Sequence, residues 1–495
     1  MPLALGALIV GMTWLCLSVT VLPLADYPNH LARLFIQAHI ATDPYLANYY
    51  RLFWHFQPNL SLEALAWVLS FLFDIYTLGG LLGATTFASL AIGLVALHRV
   101  LNRRFSPAAL LPIILIVNRY YVWGSLGYLL ALGVTFAAVA VWVACRQRPL
   151  LQFLLGTVLA TAVYLGHLYA FGVYAICTVG YEAFWLLPRS ARRQVLMRGT
   201  AVLGQLVPSA LLLLFLSPTA EVHDVPQWQG LMGKLTGPVV LFPGYDLWLE
   251  AALAAACLAI PLIAWLRGAG QVRFDFAIAI GLLAALYLVL PDRAFSGYGA
   301  DRRLLVPLAM LVMISFDWTT HTASARLGQW SLVAATSLIA IINISVHWRG
   351  YDRSYAELLR LTNMVEPGSS VAGVTVNNTS QYLTYPPLQE VVSLAVIQRS
   401  AFVPSLFVYP TNAASSPLRY APNYAPNAKR ANIVFASTGR AAQTQFDAAR
   451  ALMESNGIGY LLIIDSPGFS LQVPPSYRLL ATTRDGTGRL FRIGK

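Results

Sequence analysis

Asp26 stands just after the first apolar run of the chain, in LPLADYPNHLARLFIQAHI. Pro28 suits the first turn of a helix, and from there Leu31, Leu34, Phe35 and Ala38 recur at helical spacing. His30, Arg33 and Gln37 fall together on the other face. At the positive end of that helix's dipole the Asp26 carboxylate is expected to stay ionised. An ionised acid with a His four and an Arg seven residues on can serve as a base; the plainer alternative is a helix-capping Asp among interfacial polar groups. A second cluster lies in PDRAFSGYGADRRLLVP, which packs five charges between two apolar runs. Arg293, Arg302 and Arg303 can grip a phosphate or pyrophosphate, because a guanidinium fork matches phosphate oxygens bidentately. Tyr298, between Gly297 and Gly299, sits in a stretch suited to close over a ligand. The plainer reading of those arginines is helix flanking.

Other polar groups carry less. Asn118, Arg119, Tyr120, Tyr121, Trp123 and Tyr128 read as an aromatic rim at a membrane interface. His167 and Tyr169 can line a cavity, though packing accounts for them equally well. Glu221, His223 and Asp224 have metal-ligand spacing but belong to no fixed motif. There is no P-loop, HExxH or GxSxG pattern. The four cysteines form no CxxC pair, so neither a zinc site nor a disulfide framework is indicated.

The elements that must hold these groups are membrane helices. The chain is 57% hydrophobic and 11% charged, against about 25% charged for a soluble domain. Spanning runs of about 20 residues are expected at 3–24, 79–98, 106–123, 126–144, 150–166, 168–187, 199–216, 246–266, 274–290, 303–318 and 329–346, about eleven in all. The segment 58–76 is expected to lie in the interface as an amphipathic element. Net charge is +12, spread as Arg clusters in alternate links: Arg99, Arg103 and Arg104; Arg146 and Arg148; Arg189 to Arg198; Arg267 and Arg273; Arg326. That is the positive-inside pattern, not a nucleic-acid stripe, and no nucleic-acid partner is expected. It places the N-terminus inside, and puts the first loop (25–78), the 291–303 loop and everything after 346 outside.

Residues 347–495 have ordinary soluble composition. SSVAGVTVNN and YLLIID read as strands, and QTQFDAARALMESNG as a helix burying Phe446, Ala449, Leu452 and Met453. YRLLATTRDGTGRLFRIG reads as a hairpin turning at Asp485-Gly486. The expected architecture is thus a polytopic α-helical membrane domain (1–346) and an external soluble α/β domain (347–495).

In the order of these elements, and in LADYPNHLAR, YYVWGSLGYLLALG, GHLYAFG and GADRRLLVP, the chain resembles the GT-C superfamily of membrane glycosyltransferases. The resemblance implies inverting transfer of a sugar from a polyprenyl-phosphate-linked donor, in a bacterial inner membrane, to an acceptor glycan, lipid or protein on the outer face. Asp26 would be the catalytic base, and Arg302 or Arg303 would stabilise the phosphate leaving group. His30, Arg33, Arg293, Tyr298 and His167 would bind substrate. Many members carry paired acids in the first loop. Here the next loop acid after Asp26 is Asp43, so the residues do not call for a divalent metal, and no other cofactor is implied. A transporter or flippase, or a non-catalytic envelope scaffold, are the readings from other classes. Against transport, no internal repeat is visible and Glu182, Glu250 and Asp275 fall near the ends of runs rather than at a midplane.

Overall fold

A computed structural model of the chain describes residues 2–494 except 187–190, 218–224, 295–296, 320–321, 377–386, 409–415, 425–431, 436–438 and 467. Glu221, His223, Asp224 and Arg189 therefore lie outside the described residues. Helix α1 (Pro2–Leu17) leads into a connection built from α2 (Tyr27–His39), α3 (Pro44–Tyr49), β1 (Tyr50–Leu52) and α4 (Ser61–Leu69). Then come α5 (Ile75–Asn102), a 3-10 stretch (Pro107–Leu115), the short α6 (Arg119–Trp123), α7 (Leu126–Ala144), α8 (Pro149–Gly166) and α9 (Leu168–Leu186). The membrane part is completed by α10 (Arg192–Gly204), α11 (Val207–Leu216), α12 (Leu231–Leu235), α13 (Leu247–Leu266) and α14 (Ala277–Val289). Strands β2 (Gly270–Val272), β3 (Arg293–Ala294) and β4 (Gly297–Tyr298) sit between or after them, and α15 (Leu305–Ile314), β5 (Phe316–Trp318) and α16 (Ala323–Thr362) follow.

Among the described residues, six helical stretches are long and apolar enough to cross a bilayer: α5, α7, α8, α10 with α11, α13 and α16. Eleven were expected from hydropathy, and the shortfall has local causes. The run 106–123 is not one helix: Ser106 caps a 3-10 segment that contains Pro112, and Asn118 then caps the separate α6. The run 303–318 opens with a 3-10 turn, is α-helical for ten residues and leaves as β5. Helices α1 and α14 are 16 and 13 residues long, apolar but short. Helix α9 has the length, but Tyr169, Tyr174, Tyr181 and Glu182 make it less apolar than the six. The segment 58–76 holds the nine-residue α4, too short to span, and the first two residues of α5.

Helices α5 and α7 pack backbone to backbone. Gly93 faces Gly133 there, and any Cβ on Gly93 would lie 2.3 Å from the Gly133 carbonyl oxygen. The backbones meet because neither residue has a side chain to hold them apart.

At the C-terminal end, β6 (Val371–Val376), β8 (Asn432–Phe435), β9 (Tyr460–Ile464), β10 (Tyr477–Thr482) and β11 (Gly488–Ile493) form a sheet in the order β10-β11-β9-β6-β8. Its three strands β8, β6 and β9 are parallel, and the β10–β11 hairpin adds antiparallel to β9. The helix Arg440–Ser455 buries Phe446, Ala449 and Met453 against Val374, Leu461 and Ile463, whereas Leu452 stays exposed. Strands β6 and β9, the helix and the β10–β11 hairpin are those read from the sequence, whereas β8 was not among them.

This C-terminal region is not a separate appendage. Helix α16 runs unbroken from Ala323 to Thr362, so the change of composition at 347 coincides with no break in the backbone. Strand β1 of the first connection pairs with β7 (Leu418–Tyr420), Tyr50 opposite Tyr420. Helix α2 packs on α17 (Leu394–Arg399) and on the 3-10 turn Val391–Ser393. The two ends of the chain are thereby brought together around α2.

Candidate active site

Asp26 occupies the N-cap position of α2, yet its side chain caps no backbone N–H. Its place is fixed from the other side by α6. Ala25 N–H donates to the Val122 carbonyl (2.9 Å) and Asp26 N–H to the Trp123 carbonyl (3.0 Å). Asn118 starts α6 by accepting from Tyr120 and Tyr121, and Gly124 ends it at φ +96°. A side chain at Gly124 would press on the Tyr27 nitrogen, so glycine is what lets α6 close onto the start of α2. The freed Asp26 carboxyl hydrogen-bonds the Trp123 side chain instead.

That carboxyl is not the ionised surface acid expected from its position at a helix start. Burial pushes it well above the usual carboxylate range, and the Glu390 carboxyl pushes it the same way. The Trp123 hydrogen bond and the charge of Arg303 act in the opposite sense without overcoming burial. Desolvation outweighs the helix dipole here because the side chain turns away from the free N–H groups that carry the dipole's end charge.

Arg303 stands in an aromatic cage. Its guanidinium lies 4.8 Å from the Tyr169 ring centre, 5.7 Å from Tyr120 and 5.9 Å from Tyr128. It also hydrogen-bonds the Tyr169 side chain. Among the described residues Arg303 has no ion-pair partner, and its buried Nε has no acceptor. A guanidinium held among aromatic rings without an ion-pair partner has the chemistry to receive an anion. His167 lies against the same cage, its ring 5.2 Å from Tyr128 and 5.7 Å from Tyr169. Burial and the Arg303 charge keep it neutral, well below the usual imidazole range.

Other candidates are placed differently. Arg302 reaches away from Asp26, donating to the Gln229 side chain and to the Gly233 carbonyl (3.2 Å). Arg33 is buried in an ion pair with Glu63 at 2.6 Å. His30 faces Arg33 at 3.4 Å and meets Phe407 edge-on, its pKa pushed down to about 3 by burial and then by Arg33. Arg293 is exposed and covers the Tyr298 ring at 5.3 Å, and Tyr298 in turn leans on Trp123 at 5.5 Å. Asp26, Arg303 and His167 therefore gather around one aromatic wall, with Tyr298 and Arg293 at its edge. Arg33 and Arg302 brace the elements behind it. Among the described residues no three His, Cys, Asp or Glu side chains assemble as a metal site.

No protein-family model matches the chain, and no curated protein sequence matches it. Solved structures do. ArnT from Cupriavidus metallidurans bound to undecaprenyl phosphate superposes with a TM-score of 0.53 at 12% identity, over 99% of this chain and 97% of that one. Its apo form gives 0.52 at 11% identity over the same shares. The arabinofuranosyltransferase AftD from Mycobacteria matches at 0.46 and 13% identity, over all of this chain and 40% of its own.

At 11–12% identity the likeness to ArnT is one of fold. Near-complete coverage of both ArnT and this chain means that the shared order of elements includes the C-terminal strands as well as the helices.

Sequence reasoning missed two residues of this site. Asn29 lies in the quoted LADYPNHLAR stretch but has no charge to attract notice, and it is fully buried. Glu390 belongs to the C-terminal region, far along the chain from Asp26, and only the folded arrangement brings it near. The buried face of α2 offered a partial signal: Asn29, Arg33 and Gln37 are polar residues at helical spacing, and all three are buried. Polar residues buried on one stripe require partners, and those partners come from other elements.

Proposed function

We propose that the protein is a membrane glycosyltransferase that moves a sugar from a polyprenyl-phosphate-linked donor to an acceptor hydroxyl on the outer face of a membrane. The observation that carries this reading is that Asp26, tied through its N–H to the Trp123 carbonyl, stands at the same aromatic wall as Arg303, whose guanidinium lies over the Tyr120 ring that stacks on Trp123. Such a site holds a base and an anion seat side by side, which is what displacement of a sugar phosphate requires.

The acceptor oxygen attacks the anomeric carbon and gives its proton to Asp26 as the bond forms. The bond from that carbon to the phosphate oxygen breaks, and its electron pair stays on the polyprenyl phosphate. Arg303 meets the charge that builds on the phosphate, in a half-buried site where water screens it less than in bulk solvent. Attack from the face opposite the leaving phosphate inverts the anomeric centre. Neutral His167 and His30 are suited to hydrogen-bond sugar hydroxyls without adding charge, and Tyr298 with Arg293 closes the edge of the site. The similarity to ArnT, whose structure was solved with undecaprenyl phosphate, supports a lipid-linked donor. The C-terminal region, joined to α2, then lies on the outer face beside the site.

The test is Asp26→Asn in the full chain. Membranes containing this variant should lose transfer from polyprenyl-phosphate sugars while the purified protein keeps the melting temperature of the parent. Undiminished transfer would remove Asp26 as the base.

A further inference from the structure

A second concave surface lies on the seam between the first connection and the C-terminal sheet, apart from the residues gathered around Asp26. It is an open cleft of about 880 Å³, within the size range of small-molecule sites. Its aromatic part is the half-buried Tyr424, backed by Tyr49 edge-on at 4.9 Å and by Phe402 at 5.1 Å. Asn48 holds the Tyr424 ring in place by donating to its hydroxyl at 2.9 Å. The rest of the lining is largely polar. Glu366 is gripped by Arg492 at 3.0 Å. Arg478 stands opposite Arg492 on the β10–β11 ladder, exposed, and has no ion-pair partner among the described residues. Glu454 accepts from the Tyr477 hydroxyl at 2.8 Å. Asn456 brings a buried amide nitrogen to the cleft, with no acceptor for it among the described residues. A buried donor in that state is costly unless something from outside the chain meets it.

We propose that this cleft is a binding site for a neutral saccharide chain. Glu366 and Glu454 balance Arg478 and Arg492 in the lining, so the cleft has no surplus charge to hold a phosphate or a metal ion. What it offers is both senses of hydrogen bonding close together. Carboxylate oxygens accept, while guanidinium and amide N–H groups donate. A sugar hydroxyl does both at once and satisfies either kind of neighbour. The faces of a sugar ring are made of C–H groups, and those lie well on an aromatic ring such as Tyr424. A purely apolar ligand would cover the Asn456 donor without pairing it, at a cost. The cleft is also tied to the Asp26 site by the chain that supports both. Phe402 backs Tyr424, and Ser405, three residues on, accepts from the Asn29 amide in the first turn of α2 at 3.0 Å. Three residues reach at most about 11 Å, so one short stretch holds the cleft and the start of α2 in register. The choice of a saccharide follows from the lining alone. Its purpose rests on the glycosyltransferase reading, under which the cleft retains a glycan acceptor while one end of it is presented to Asp26.

The test is calorimetric titration of the full chain in lipid nanodiscs free of sugar-headed detergent. The probes are neutral hexasaccharides of α-linked glucose, of β-linked glucose and of β-linked N-acetylglucosamine. At least one should bind, and Tyr424→Ala should weaken it by about tenfold, the scale of a lost aromatic anchor. Tyr424→Phe, which keeps the ring, should stay close to the parent. Arg478→Ala, at an exposed position, should weaken binding severalfold. Absence of binding by all of these probes at millimolar concentration overturns the proposal. So does affinity unchanged in both Tyr424→Ala and Arg478→Ala with the melting temperature preserved. Should Tyr424→Ala not fold, Arg478→Ala decides alone. Polygalacturonate bound more tightly than any neutral probe, and released by salt, would show an ionic surface and overturn it equally. The readout involves no sugar transfer. A saccharide bound by a protein without transferase activity would therefore keep the cleft and reject the reaction, whereas transfer without saccharide binding would do the reverse.

Discussion

A Cβ placed on Gly124 would lie 3.1 Å from the Tyr27 backbone nitrogen, and the Gly124 φ of +96° already excludes most side chains. The turn that ends α6 is thereby pressed onto the residue next to Asp26. Gly124→Ala should cost about 1–2 kcal/mol through backbone strain and displace the start of α2 as it relaxes. The expected outcome is a modest fall in melting temperature with a much larger loss of transfer, measured on the same purified sample. Equal retention of activity and stability would show that Asp26 does not depend on this contact.

The acid limb of the activity profile provides a second check. Asp26 works as a base only when unprotonated, and burial followed by Glu390 raises its pKa. Activity should therefore rise with pH through a midpoint above the ordinary carboxylate range, and stay low where a free Asp would already be ionised. In Glu390→Gln the limb should move to lower pH. A profile flat from weakly acidic to neutral pH in the parent would contradict the burial of the base.

Arg303 and Arg302 should behave differently although they are neighbours. Arg303→Ala removes the caged cation and should raise KM for a polyprenyl-phosphate sugar by about tenfold or more, the scale of a lost charge-assisted contact. Arg303→Lys should recover only part of this, because an ammonium cannot stack flat among Tyr120, Tyr128 and Tyr169. Arg302→Ala loses its bonds to Gln229 and Gly233 and should show chiefly as a lowered melting temperature. Donor titration of both variants separates the two roles.

The Arg33–Glu63 pair is almost completely buried, with side chains 5% and 9% exposed. Removing one partner strands the other as a buried charge, at a cost of about 3–5 kcal/mol. Arg33→Met and Glu63→Leu should each destabilise strongly in thermal unfolding, while the double variant should recover much of the loss. Additive losses would mean that the two groups are not coupled.

How much of this was legible beforehand differs between elements. Strands β6, β9, β10 and β11 and the helix Arg440–Ser455 announce themselves by short-range periodicity and by the Asp485-Gly486 turn, because each is decided by its own residues. The helices were harder. Apolar runs such as 106–123 and 303–318 satisfy a hydropathy window, but Pro112, the Asn118 cap and the departure into β5 break them in ways that mean hydropathy does not register. At the site, Asp26, His167 and Arg303 were recognisable from residue type and position. The ionisation of Asp26 was not, since it depends on how deeply α6 and the C-terminal region cover it. Glu390 carried no local signal, because its meaning lies in a contact between segments remote in sequence.

Helix α16 is 40 residues long, about 60 Å at the usual helical rise, roughly twice the hydrocarbon thickness of a bilayer. On the proposed topology it is a strut that holds the C-terminal sheet at a height above the lipid set by where its apolar section settles. Thinning or thickening the membrane shifts that settling point against the shorter helices around it. The seam between α2 and the C-terminal region, where the Asn29 amide donates to Glu390 Oε2 at 3.2 Å, would then be strained by the lipid itself, and activity in reconstituted bilayers should pass through an optimum as acyl-chain length is varied.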